Sequence, residues 1–250
     1  MCPCRNSVID ALLFSAVQLL TFRGGQPLTN ASGFFFQCEN RLFLVTSRHV
    51  IWDPDTGHHP DSVRIALHSD RKNVARLIDF EIPLYQRGQS VWRQGNDSAG
   101  DIDVAVIALD RTALPPDLAY HPFTLHHLAD EGEVPLGTPL LIVGFPLGFQ
   151  DQLHRLPIAR HAILSSCFDL RFQGEATFLT DARTHRGMSG APVVMRMSSP
   201  SAVGRKLPWK LLGIHSARLD VRGRDTAVDD RLGLNSAWFA DILLTLTDAA

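Results

Sequence analysis

Residues 184–194, THRGMSGAPVV, set a serine hydroxyl between glycines just ahead of an apolar run. A hydroxyl alone is a weak nucleophile. Attack on a carbonyl needs a base within hydrogen-bond reach, a group that orients the base, and donors for the developing oxyanion. Glycine-flanked serines are common in structural turns, so the companions of Ser189 decide what it can do. Downstream there is only His215, with no Asp or Glu between the two, and the fifth position of a Gly-x-Ser-x-Gly elbow is Ala191. The chain order Ser, acid, His is therefore absent. Upstream, the opposite order is present. FLVTSRHVIWD places His49 just after an apolar run, and GDIDVAVIALD places Asp103 at the head of another. A carboxylate beside Val104, Ala105 and Val106 is shielded enough to hold an imidazole in one tautomer and to stabilise the imidazolium. Asp101 shares the residue parity of Asp103, so alternation does not separate them. Asp103 abuts the apolar run and is the better candidate.

Short strands must position these groups. Period-two and continuous apolar runs predict strands at 16–23, 32–37, 41–46, 63–68, 75–81 and 102–109, with a hairpin turn at Cys38-Glu39-Asn40. A proline-rich stretch, 111–137, connects to a second set at 139–144, 158–166, 176–180, 191–196 and 210–216. Ser7-x-x-Asp10 reads as a capping box for a short first helix. At the other end, Trp238, Phe239, Ile242, Leu243 and Leu246 share one helical face over 237–246, with Ser236 as N-cap. Loops 147–157 and 197–209 read as long and mobile.

In this setting three blocks resemble those of chymotrypsin-like (trypsin-like) serine peptidases. They are Thr46-Ser47-Arg48-His49-Val50, Asp103-Val104-Ala105-Val106 and Gly187-Met188-Ser189-Gly190-Ala191-Pro192, at intervals of about 54 and 86 residues. Gly33-Phe34 and Gly144-Phe145-Pro146-Leu147-Gly148 are similar to segments of the bacterial high-temperature-requirement proteases. The resemblance implies an all-β fold of two antiparallel six-stranded barrels, here with a short N-terminal helix and a C-terminal helix. Residues 1–120 would carry His49 and Asp103, and residues 121–250 would carry Ser189. It also implies a catalytic triad of His49, Asp103 and Ser189, and an oxyanion hole from the N–H groups of Gly187 and Ser189. The activity implied is serine endopeptidase, acting on protein or peptide substrates. A catalytically dead, peptide- or partner-binding module is the alternative.

Two departures carry information. Enzymes of this type that are activated by cleavage pair a new N-terminus with an aspartate just before the serine; here that position is Met188, and no Ile-Val-Gly-Gly start appears. The resemblance thus implies a site formed without zymogen cleavage, with control left to a partner, a loop rearrangement or restricted substrate choice. Thr184, five before the serine, and His215 are similar to the specificity pair of glutamyl endopeptidases and picornavirus-type processing proteases, which cleave after Glu or Gln. A hydroxyl and an imidazole can both donate to such a side chain. Ser216 and Ala217 would pair with substrate backbone as an added strand.

The rest of the composition mainly excludes. A net charge of −2 and no Lys/Arg block give no case for nucleic acid. No apolar run is long enough to span a bilayer. The run 8–20 is broken by Asp10 and Gln18 and lacks a cleavage site, which reads as a cytoplasmic chain rather than a signal peptide. The four cysteines form no Cys-x-x-Cys pair and read as free thiols, with Cys38–Cys167 the only pairing considered. His58-His59 and His126-His127 read as surface residues. No metal or cofactor is expected.

Overall fold

The computed structural model describes residues 9–130, 132, 134–197, 206–218 and 233–248; Cys2, Cys4, Ser7 and most of the 197–209 loop lie outside them. The strands are β1 (Ala16–Arg23), β2 (Gln26–Cys38), β3 (Arg41–Thr46), β4 (Ser62–His68), β5 (Leu77–Pro83), β6 (Tyr85–Gln86), β7 (Gln89–Ser90), β8 (Trp92–Asp97), β9 (Gly100–Leu109), β10 (Phe123–Thr124), β11 (Pro139–Gly144), β12 (Ile158–Ile163), β13 (Thr177–Thr180), β14 (Pro192–Arg196), β15 (Trp209–Arg218) and β16 (Asn235–Phe239). They form two main sheets. The first runs β5-β4-β1-β2-β3-β9-β8, with β10 added in parallel to β2 through Phe123 opposite Phe36. The second runs β12-β11-β14-β15-β16-β13, and an isolated bridge between Leu164 and Thr180 joins its two ends.

The apolar runs explain the central strands. Phe34, Phe36, Phe43, Leu44 and Val45 are almost wholly buried on β2 and β3, and the turn between these strands holds Glu39 at φ 52°. Each such side chain contributes roughly 1.5–3 kcal/mol by leaving water. One cluster draws from both sheets: Phe34, Phe43, Val104 and Val106 meet Val143, Val194, Leu211 and Ile214. The sheets are thus joined by a shared core, and the groups of interest sit along that seam.

Several expectations need correction. The first sheet has eight strands rather than six, and one of its pairings is parallel. Strand β8 carries no apolar run. It exists because it folds back on β9 as a hairpin, with Trp92 opposite Ile107 and Asp97 opposite Gly100. At the C-terminus the helix is confined to Ile242–Leu246, and Asn235–Phe239 is a strand. The helical spacing of Trp238 and Phe239 is real, but pairing on both sides overrides it: Trp238 lies opposite Thr177 and Ile214. Ser236 is therefore a strand residue, not an N-cap. The first helix is a 3₁₀ turn, Ala11–Phe14, capped by Asp10, whose Oδ1 accepts from the N–H of Leu12 at 3.0 Å. Loop 147–157 is tied down: the His68 ring donates from Nε2 to the carbonyl of His154 at 2.7 Å, and Arg155 pairs with Asp79 at 3.1 Å. Cys38 and Cys167 are both free thiols. Among the described residues no helix is long and apolar enough to cross a membrane.

Gly213 marks a tight point of the second sheet. A Cβ there would strike the carbonyl oxygen of Trp238 and come within 2.6 Å of Phe178 Cε1. Phe178 is itself fully buried. Gly213→Ala is expected to cost about 1–3 kcal/mol through overpacking. A urea unfolding curve reads this directly, and an unshifted midpoint would contradict the packing described.

Candidate active site

Strand pairing brings His49 to Asp103. Strand β3 is in register with β9 so that Thr46 faces Ala105, and the chain then turns at Ser47 into the helical turn Arg48–Ile51. Val50 and Ile51 anchor that turn in the core, leaving His49 half-buried above β9. Asp103 Oδ1 accepts the backbone N–H of His49 at 2.8 Å, and Oδ2 lies 2.7 Å from His49 Nδ1. The same Oδ2 accepts the hydroxyl of Ser216 at 2.6 Å. An ionised carboxylate only accepts, so Nδ1 carries the proton and Nε2 is left with its lone pair. Asp101 goes elsewhere: it is exposed and bound to Arg48 at 3.0 Å.

Burial pushes the His49 imidazole down, but the hydrogen bond and charge of Asp103, with Asp53 farther off, outweigh it. Arg48 opposes them in part, and the net result is a pKa raised above 6.5.

Ser189 sits in a turn pinned from several sides. Gly187 and Gly190 have φ of 92° and 83°, a region in which residues with a Cβ are strained. Space requires glycine as well. A Cβ on Gly190 would strike Ser32 O and Thr46 Oγ1, and one on Gly187 would lie 2.5 Å from both Asn30 Oδ1 and Phe145 O. The Ser32 hydroxyl donates to Gly187 O at 2.7 Å and accepts from the N–H of Phe145 at 3.0 Å. The N–H of Leu147 donates to Arg186 O at 2.6 Å, that of Ser32 to Ser189 O at 3.0 Å, and that of Gly190 to His215 O at 2.8 Å. Met188 is fully buried in the core of the second sheet. Among the described residues the N–H groups of Gly187 and Ser189 have no hydrogen-bond partner.

The Ser189 hydroxyl donates to the carbonyl of Ser216 at 3.0 Å. Among the described residues no hydrogen bond joins it to His49, so transfer of its proton to the imidazole requires the hydroxyl to leave that carbonyl. Catalytic hydrogen bonds often form only once substrate is bound.

The expected pocket residues lie next to this turn. Thr184 is buried and donates to Asn235 Oδ1 at 2.5 Å, while Asn235 Nδ2 donates to Ala182 O at 2.6 Å. His215 is buried, with no partner for Nδ1 among the described residues, and burial, with the charge of His49 added, pushes its pKa down to about 4. It is therefore neutral near pH 7. Ser216 is a bulge residue: His215 pairs with Ala237 and Ala217 with Ser236, leaving Ser216 between them. Strand β14 stops pairing β15 at Ile214, and beyond His215, among the described residues, the β15 edge facing away from β16 is met only by the Ser189 hydroxyl on Ser216 O. Other histidines are engaged elsewhere: His58 bonds Val50 O at 3.0 Å and His59 packs on Trp52. No three His, Cys, Asp or Glu side chains among the described residues are placed to share a metal ion.

Sequence reasoning missed Ser32, Asn30 and the hydroxyl duty of Ser216. The small residues Ala31-Ser32-Gly33 ahead of an aromatic run were the available hint of close packing for the first two. Nothing local to Ser216 announces its bulge.

The family model described as trypsin-like peptidase domain matches residues 31–200. Among solved structures, the serine endoprotease from Yersinia pestis is similar, with a TM-score of 0.53 and 16% identity, over 95% of this chain and 64% of that one. The chain thus spans less than two thirds of that protein's length, and at this identity the likeness is one of fold. No curated protein matches the sequence.

The charge balance at His49 yields a measurable sign. In Asp103→Asn the attraction is removed and burial remains, so the His49 titration followed by NMR is expected to move from above 6.5 to lower pH. An unmoved titration would mean that Asp103 does not set the imidazole.

Proposed function

This chain belongs to the trypsin-like peptidase domain family, and from that premise we propose that it is a serine endopeptidase using His49, Asp103 and Ser189. The observation that carries the reading is the hold of Asp103 on His49 through both the backbone N–H and the ring. It leaves Nε2 as the only basic atom of the ring. In the proposed reaction Ser189 Oγ attacks the scissile carbonyl carbon while His49 Nε2 takes its proton. The oxyanion is met by the free N–H groups of Gly187 and Ser189. As the tetrahedral adduct collapses, the C–N bond breaks and His49 returns the proton to the departing amine. Water, deprotonated by the same imidazole, then releases the acyl group from Ser189. One oxyanion donor is worth about 3–4 kcal/mol of barrier in such sites.

Met188 supports a site that forms without zymogen cleavage, since a fully buried apolar side chain offers no charge for a new N-terminus to pair with. The family implies protein substrates, and the open edge of β15 at Ala217 suits their backbone as an added strand. The polar pair Thr184 and His215 supports a preference for Glu or Gln just before the scissile bond, with the Thr184 hydroxyl turning away from Asn235 Oδ1, to which it now donates its one proton. The second reading, a peptide-binding module without hydrolysis, draws on the bond from Ser189 to Ser216 O, which keeps the hydroxyl off the imidazole.

A fluorophosphonate probe separates the two readings: it is expected to label the wild type and not Ser189→Ala. That substitution should lower kcat on the order of 10⁶. For specificity, matched peptides differing only at the residue before the scissile bond are expected to be cut fastest with Glu or Gln. Faster cleavage after Ala, Val or Lys would remove the proposed role of Thr184 and His215.

A further inference from the structure

Leu147 bears two unfavourable features at once. Its backbone is left-handed, at φ 54° and ψ 22°, a conformation that strains a residue with a Cβ. Its side chain is 67% exposed, so the strain does not serve burial of that side chain. Phe149 and Leu153, on the same loop, are 65% and 64% exposed. Neighbouring apolar side chains held in water on a tied-down loop mark a surface meant to be covered.

The loop's anchors say where that surface lies. The N–H of Leu147 donates to Arg186 O at 2.6 Å, one residue before the oxyanion donor of Gly187. The N–H of Gly148 donates to Phe145 O at 3.0 Å, and that of Phe149 to Pro146 O at 2.8 Å. Farther on, Gln150 donates to Gln18 Oε1 at 3.2 Å. The loop is thus fixed to the serine turn and to β1. In the function proposed above, the acyl side of a bound peptide is taken up by the edge of β15 at Ala217 and by Thr184 and His215. The other flank of Gly187, where a Cβ would point, faces Asn30, Phe145 and Leu147. That flank is left for the residues that follow the scissile bond.

We propose that Leu147 and Phe149 form an apolar subsite for the first residues on the leaving-group side of a substrate, so that the protein selects large apolar side chains there. This rests on the peptidase reading of the site. The strain at Leu147 then has a use, because the left-handed backbone turns a leucine side chain out beside the serine turn while its N–H holds that turn in place.

The test compares peptides identical except for the two residues after the scissile bond, Leu-Phe against Ala-Ser. Within each protein the ratio of kcat/KM is read, so general damage cancels. The wild type is expected to favour Leu-Phe by about tenfold. Leu147→Gly, which relaxes the backbone while removing the side chain, should bring the ratio near one. Leu170→Ser, an equally exposed leucine elsewhere, should leave it as in the wild type. The same pair of peptides is titrated against Ser189→Ala by fluorescence anisotropy. Cleavage and probe labelling with a ratio of one in the wild type, or a ratio unchanged in Leu147→Gly, would overturn the subsite and spare the peptidase reading. No cleavage and no labelling, with tighter binding of Leu-Phe that Leu147→Gly abolishes in the Ser189→Ala background, would overturn hydrolysis and keep the subsite. Equal binding of both peptides would remove the subsite in that case too.

Discussion

One carboxylate is held by both sheets. Asp103 rises from β9 in the first sheet, where it takes two hydrogen bonds from His49, and it takes a third from Ser216, a residue of β15 in the second. Charge-assisted bonds of this kind are about twice as strong as neutral ones. They also impose geometry: the ring, the turn that carries it and the bulge opposite cannot shift independently. Much of the surrounding architecture can be understood as keeping those three donors within reach of one side chain.

Packing does the larger share of that work. The shared core, with Phe34 and Val104 against Val143 and Ile214, fixes the two sheets face to face, and Ser32 then links the serine turn to the strand that precedes Phe145. Ser32 accepts and donates at once, so the buried hydroxyl is satisfied while it joins two backbones. The serine turn has little slack. Its glycines hold positive φ against backbone atoms that leave no room for a methyl group, and its central Met188 is sunk into the second sheet.

Much of this was legible in the sequence. Strands at 16–23, 41–46 and 139–144 follow from apolar runs and match the structure residue for residue. The preference for Asp103 over Asp101 rested on apolar neighbours, and the geometry divides the pair the same way: Asp103 engages His49 and Asp101 engages Arg48. What escaped was set by partners distant in the chain. Apart from Trp92 and Gly95 the residues of β8 are polar, and they become a strand through pairing with β9. Trp238 and Phe239 carry a helical period, yet two neighbouring strands claim their backbone. The duties of Ser32 and Ser216 depend on groups more than a hundred residues away, which no local pattern encodes.

The bulge at Ser216 divides two tasks between two kinds of atom. Its hydroxyl binds the Asp103 carboxylate, and its carbonyl accepts the Ser189 hydroxyl. The first task belongs to the residue type and can be deleted by a single codon change. The second belongs to the main chain, which every amino acid brings along. Genetic drift at position 216 can therefore weaken the grip on the carboxylate while the anchor of the Ser189 hydroxyl is inherited intact.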